Sequence, residues 1–231
     1  MREGYLETSP AEAVEPPKGR RTKIAYFTPS DLERFCRAAQ GYYEANQAKL
    51  DNAGRGNFVW IVDLVRFAVA TGLRKAELRH LRWCDVDETS GRLYVRSYRG
   101  TRQGRPVAFD TEVGSDRTVS IFPMAADVLE HRTAMRRSEN PEEPVFLGPT
   151  SRRLGESQIN HAFRKARQEA GLSEDLDIHA CRHTFASWLL SKGETLYRVS
   201  RWPGHSRIGI TADTYGHLQE THSEVGRDVF S

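Results

Sequence analysis

The most apolar stretch of the chain, "NFVWIVDLVRFAVATGL", is broken by Asp63 and Arg66. It therefore reads as a buried helix over roughly residues 57–70 and not as a membrane span, which needs a longer uninterrupted apolar run. Two later segments, "GRLYVRS" and "RTVSIF", alternate apolar and polar positions as half-buried strands do. The intervening "YRGTRQGRPVAFDTEVGSD" is long enough for a further strand and a turn. Upstream, "FTPSDLERFCRAA" opens a helix: Thr28 or Ser30 can cap it, Pro29 suits its first turn, and Glu33 completes a capping box with Ser30. A short helix, "RKAELRHL", follows the "TG" break. Further helices are expected near 123–138, 156–170, 180–192, 195–202 and 208–216.

The pattern predicts an α+β fold that is mainly α-helical, with one small antiparallel sheet in its first half. There is no internal repeat. Residues 1–24 read as a disordered, acidic and Pro-rich tail ending in the basic run "KGRRTK", and residues 25–231 as a single domain. The tail lacks the apolar centre of a signal peptide. Cys36, Cys84 and Cys181 are odd in number and widely spaced, which suits reduced thiols and gives no zinc spacing.

Charge adds one hint. The net charge is only +3, but all except six of the 34 basic residues are arginine. The planar guanidinium grips phosphate through two parallel hydrogen bonds and never loses its charge.

The sharpest local signal is "DIHACRHTFASWL", which sets His179, Arg182 and His183 together at the start of a helix. His179 and His183 have the spacing of a zinc pair. A zinc hydrolase of that spacing carries a glutamate after its first histidine, whereas here Ala180 stands there and Arg182 would place a positive charge beside the metal. An anion is the better guest, because His179 and Arg182 both donate and a helix N-terminus adds partial positive charge. In this reading His183 is structural, and Phe185, Trp188, Leu189 and Leu190 are helix core. Other phosphate donors stand elsewhere: Arg74 in "ATGLRKAELRHLRW", and His205 in "RWPGHSRIGITADTYGHL", with Tyr215 ten residues later.

These four blocks, in this order, resemble the tyrosine recombinase (phage integrase) family over residues 25 to about 220. The resemblance implies that family's catalytic-domain fold and a site-specific recombinase that cleaves and rejoins double-stranded DNA through a 3′-phosphotyrosyl link, with no metal, ATP or other cofactor. It makes Tyr215 the nucleophile, Arg74 and Arg182 the clamp on the non-bridging oxygens, and His179 and His205 hydrogen-bond donors to them. His179 is also a proton acceptor for Tyr215, and Glu77 orients Arg74. Arg99, Arg102, Arg105 and Arg207 are the expected DNA contacts. The resemblance further implies a cytoplasmic protein of a bacterium, phage or mobile element, working as a dimer or tetramer on DNA, with no membrane or small-molecule partner. The family's usual N-terminal core-binding domain is not expected in the short tail.

One family feature is missing. The family places a lysine in a turn of its sheet to protonate the departing 5′-oxygen. Here Glu112 holds that place, and no lysine occurs between Lys75 and Lys165. Three accounts stay open: an arginine of the basic loop stabilises the leaving oxygen, water or His205 supplies the proton, or the chain is an inactive relative that regulates by binding DNA. A slow but competent enzyme ranks first. A type IB topoisomerase shares the phosphotyrosine logic and differs in relaxing supercoils without exchanging partners.

Overall fold

A computed structural model of the chain describes residues 24–52, 60–96, 98–102, 105–109, 116–136, 138–148 and 153–201. The elements in order are α1 (Pro29–Asn52), α2 (Trp60–Thr71), α3 (Lys75–His80), a 3-10 turn (Trp83–Asp85), β1 (Val86–Asp87), β2 (Arg92–Val95), β3 (Tyr98–Arg102), β4 (Arg105–Phe109), β5 (Arg117–Ser120), α4 (Pro123–Ala134), α5 (Glu156–Glu169), α6 (Ala180–Ser191) and α7 (Leu196–Arg201). The fold is mainly helical, as the sequence pattern predicts. The expected helix near 208–216 and the tail through residue 23 lie outside the described residues.

α1 starts two residues earlier than a Ser30 cap would place it. Oγ1 of Thr28 accepts from the Asp31 backbone N–H at 3.1 Å, and Oδ2 of Asp31 accepts from the Thr28 N–H at 3.1 Å. The capping pair is thus Thr28 and Asp31, not Ser30 and Glu33. Pro29 fixes φ at the first helical position, so Ser30 is already inside the helix.

α2 is the central helix and packs against α1, α4, α5 and α6. Ile61, Leu64, Val65, Phe67 and Ala68 on it are fully buried. Asp63, which interrupts the apolar run in the sequence, is buried too. His131 Nδ1 lies 2.9 Å and Arg132 Nη1 3.7 Å from its carboxylate, so two residues of α4 answer the charge. Burial pushes the Asp63 carboxyl above its ordinary pKa, and the charges of His131 and Arg132 oppose that rise.

The segment before α1 is stapled onto α6. Thr184 Oγ1 accepts from the Phe27 N–H at 2.9 Å, and Trp188 Nε1 donates to the Phe27 carbonyl at 2.9 Å. The Phe27 ring is fully buried against Phe35 and Phe163, which joins α1, α5 and α6 in one core.

β1, β2 and β5 form an antiparallel sheet in that spatial order, with Leu93 opposite Val119 and Val95 opposite Arg117. Leu93, Val95 and Val119 face the core. β3 and β4 form a separate antiparallel pair in which Arg102 stands opposite Arg105. The small antiparallel sheet expected from the sequence is thus β1, β2 and β5, and the two-stranded ladder stands in addition to it. α4 ends at Ala134, short of residue 138, because the N–H groups of Met135 and Arg136 turn to carbonyls three residues back. Among the described residues, no helix is long and apolar enough to cross a membrane.

Candidate active site

The turn after α2 sets up the first half of the site. Thr71 Oγ1 bonds back to the Phe67 carbonyl at 2.7 Å, and Gly72 leaves the helix with φ +65°, a conformation that favours glycine. Arg74 follows in extended backbone and caps α3. Its backbone N–H donates to Glu77 Oε2 at 2.8 Å and its Nη1 to Glu77 Oε1 at 3.2 Å. The pairing of Arg74 with Glu77 expected from sequence is present.

Glu77 has a second, stronger partner. Arg117, the first residue of β5, grips the same carboxylate with Nη1 on Oε1 at 2.7 Å and Nη2 on Oε2 at 2.8 Å. The Glu77 side chain is only 2% exposed. Burial pushes its pKa up, but the Arg117 hydrogen bonds and charge, with the Arg74 N–H and charge, more than offset this and hold it below its ordinary value. In the sequence Arg117 opens the strand segment "RTVSIF" and stands where the family resemblance expects the arginine of "R.V", with no role attached to it. The available signal was alternation, which puts Arg117 on the same face as the buried Val119.

The second half comes from α6. Asp177 Oδ1 accepts from the N–H groups of His179 at 2.8 Å and Ala180 at 3.0 Å, satisfying the opening amides of the helix. His179 stands exposed at that end. One turn on, Arg182 is 4% exposed and donates Nη1 to the Gly72 carbonyl at 3.1 Å. The structure thus brings Arg182 onto the turn that carries Arg74, two residues away in sequence. The His183 ring meets that of His179 edge to face, with centroids 5.8 Å apart. Burial lowers the His183 pKa, and the charges of His179 and Arg182 lower it further against Asp177. A neutral, packed imidazole matches its structural reading.

Lys75, beside Arg74, is committed to α5, where it contacts Glu156 and Asn160. Arg99 and Arg102 lie on β3 and Arg105 on β4. His205, Arg207, Tyr215 and Glu112 lie outside the described residues. Among the described residues, no three His, Cys, Asp or Glu side chains gather as a metal-ligand set. What the arrangement offers is an arginine of α6 seated on the turn that carries Arg74, and an exposed His179 at the start of the same helix: donor types that suit a tetrahedral anion.

A profile of the phage integrase family matches residues 27–222. The chain is 27% identical over 262 residues to a tyrosine recombinase XerC-like protein of Caldanaerobacter subterraneus, covering 99% of this chain and 62% of that protein. It is 29% identical over 223 residues to the tyrosine recombinase XerC of Pseudomonas fluorescens, covering 96% and 65% respectively. The chain therefore spans less than two thirds of these relatives' length. Its fold matches that of the Tn1549 transposon integrase solved with circular intermediate DNA, with a TM-score of 0.69 at 18% identity over 96% of this chain and 70% of that one.

Proposed function

The chain belongs to the phage integrase family, and from that premise we propose that it is a tyrosine recombinase, cleaving and rejoining double-stranded DNA at specific sites. The observation that carries this reading is the hydrogen bond from Arg182 to the Gly72 carbonyl, which gathers Arg182 and the Arg74 turn at one place.

In the proposed reaction the Tyr215 oxygen attacks the scissile phosphorus as its proton passes to His179. The bond from phosphorus to the 5′-oxygen breaks, leaving a 3′-phosphotyrosyl link and a 5′-hydroxyl. A 5′-hydroxyl from a partner strand then attacks the same phosphorus and restores Tyr215. The pentacoordinate transition state concentrates negative charge on the non-bridging oxygens, where Arg74, Arg182 and His205 donate. Donors fixed in advance stabilise that state more than the ground state, and loss of one costs on the order of 100- to 1000-fold in rate. No metal or nucleotide is needed. The 5′-oxygen takes its proton from His205 or water, which makes the reaction slow beside one with a dedicated lysine.

Duplex DNA is the proposed partner, gripped through Arg99, Arg102, Arg105 and Arg207, with two or four copies assembled on it in the cytoplasm. The Tn1549 integrase complex with DNA supports the choice of partner. A second reading, a DNA-binding regulator without chemistry, is favoured by Glu112 at the lysine's place.

The test is covalent capture. Nicked duplexes from a random-sequence pool are incubated with the full chain, and denaturant-resistant adducts are recovered. The wild-type chain is expected to form an adduct that EDTA does not affect and that Tyr215→Phe abolishes. An adduct surviving Tyr215→Phe removes the nucleophile, and no adduct from any duplex favours the regulator.

A further inference from the structure

We propose that Arg117 is a positioning residue for the phosphate clamp, acting through Glu77 to hold the Arg74 guanidinium. The inference rests on the reading of Arg74 as a clamp residue and adds to it a residue to which the sequence reading gave no role.

The geometry is a single carboxylate shared by two arginines. An ionised carboxylate offers about four acceptor positions. At Glu77 these meet four N–H groups: Nη1 and Nη2 of Arg117, and the backbone N–H and Nη1 of Arg74. Each oxygen serves both arginines, so Glu77 cannot rotate to suit one without releasing the other. Arg117 supplies the two shorter side-chain bonds in a planar fork, the geometry that fixes a carboxylate most firmly. Without it, Glu77 would be a nearly buried carboxylate with only the cap and one bond of 3.2 Å to hold it.

Position supplies the mechanical link. Arg117 opens β5 and pairs across the sheet with Val95, the last residue of β2. The chain between these two residues contains the β3–β4 ladder with Arg99, Arg102 and Arg105. Arg117 therefore ties the base of that basic excursion to the cap of α3. With both its Nη groups on Glu77, Arg117 stabilises the clamp from behind.

The test uses the full chain and a nicked duplex selected from the random-sequence pool by wild-type capture. Arg117→Met and Glu77→Gln should each slow single-turnover adduct formation by roughly 10- to 100-fold while changing the half-saturating duplex concentration by less than about threefold. The double variant should be no slower than the worse single one, as for groups acting in one chain of contacts. Arg117→Lys keeps the charge without the fork and should recover only part of the rate. In the DNA-free protein, Arg117→Met should increase the mobility of the Arg74 Nε–H group seen by NMR relaxation.

An unchanged adduct rate in Arg117→Met, full recovery in Arg117→Lys, or a loss confined to DNA affinity overturns the proposal. If the wild-type chain captures no duplex, the recombinase reading fails separately, and the Arg74 relaxation measurement then decides whether Arg117 orders that side chain.

Discussion

Nη1 of Arg182 lies 3.1 Å from the carbonyl oxygen of Gly72, a hydrogen bond that spans 110 residues of chain. It depends on close approach of α6 to the turn, and a β-carbon at position 72 would stand 2.6 Å from Cδ1 of Phe185. Gly72 also has φ +65°. Gly72→Ala combines left-handed strain with a clash against a buried ring, so it should destabilise the fold by about 2–4 kcal/mol. Urea unfolding measures this, and a loss below about 1 kcal/mol would mean that α6 can retreat from the turn at little cost.

Thr184 connects the segment before α1 to α6 by accepting from the Phe27 N–H while donating to the Ala180 carbonyl. Thr184→Val keeps the volume and removes the acceptor from a buried amide. The expected cost is about 1–3 kcal/mol. Hydrogen exchange at the Phe27 amide should accelerate with it; an unchanged exchange rate would show that another group protects that amide.

Asp177 caps α6 directly upstream of His179. Asp177→Ala should cost about 1 kcal/mol in stability, whereas Asp177→Asn, which keeps an acceptor oxygen, should cost much less. Thermal or urea unfolding of both variants checks the difference. Equal losses would assign the effect to the negative charge and not to the cap.

His80 and His183 make stability pH-dependent. Burial holds both below the ordinary histidine value of 6.5; charges of Arg153 and Arg79 add to this at His80, and those of His179 and Arg182 at His183. The unfolded chain therefore binds protons at these positions before the folded chain does. Stability should be fully retained above pH 6.5 and fall as pH drops below it toward the folded pKa values. His80→Asn and His183→Asn should each flatten that fall when urea midpoints are compared with wild type between pH 7.5 and 5.5 (~2 pH units spanning the transition). Glu77, held below its ordinary value, loses its contribution only in more acidic solution, and Asp63, raised by burial, acts in the opposite sense. A fall of the same steepness in both histidine variants would assign it to other groups.

Much of this architecture is legible in the sequence because its punctuation is local. Pro29, the Thr71–Gly72 break and Pro123 each mark a helix end by their own backbone chemistry, and α2, α5 and α6 lie where apolar spacing puts them. Arg74 and Arg182 stand out as candidates because both lie in short, distinctive blocks at helix starts. What escaped was decided by partners far away in sequence. Asp63 looked like a polar interruption and is buried because His131 and Arg132 meet it. Arg117 opens a strand segment, and its side chain is drawn in to 11% exposure by Glu77, 40 positions earlier. β1, with two residues, has too little pattern to signal itself and exists through its pairing with β2. The cap of α1 was open between two candidates until Pro29 decided the register.

The contact between Arg182 and Gly72 also carries a consequence for the order of assembly. Closing so long a loop costs entropy that shorter-range contacts do not, which favours earlier formation of the local contacts within α1–α3 and the sheet. During synthesis the Arg74 turn leaves the ribosome long before α6 is translated. A nascent or prematurely terminated chain thus holds one arginine of the pair without its counterpart, and the cluster comes into being only once nearly all of the described chain has been made.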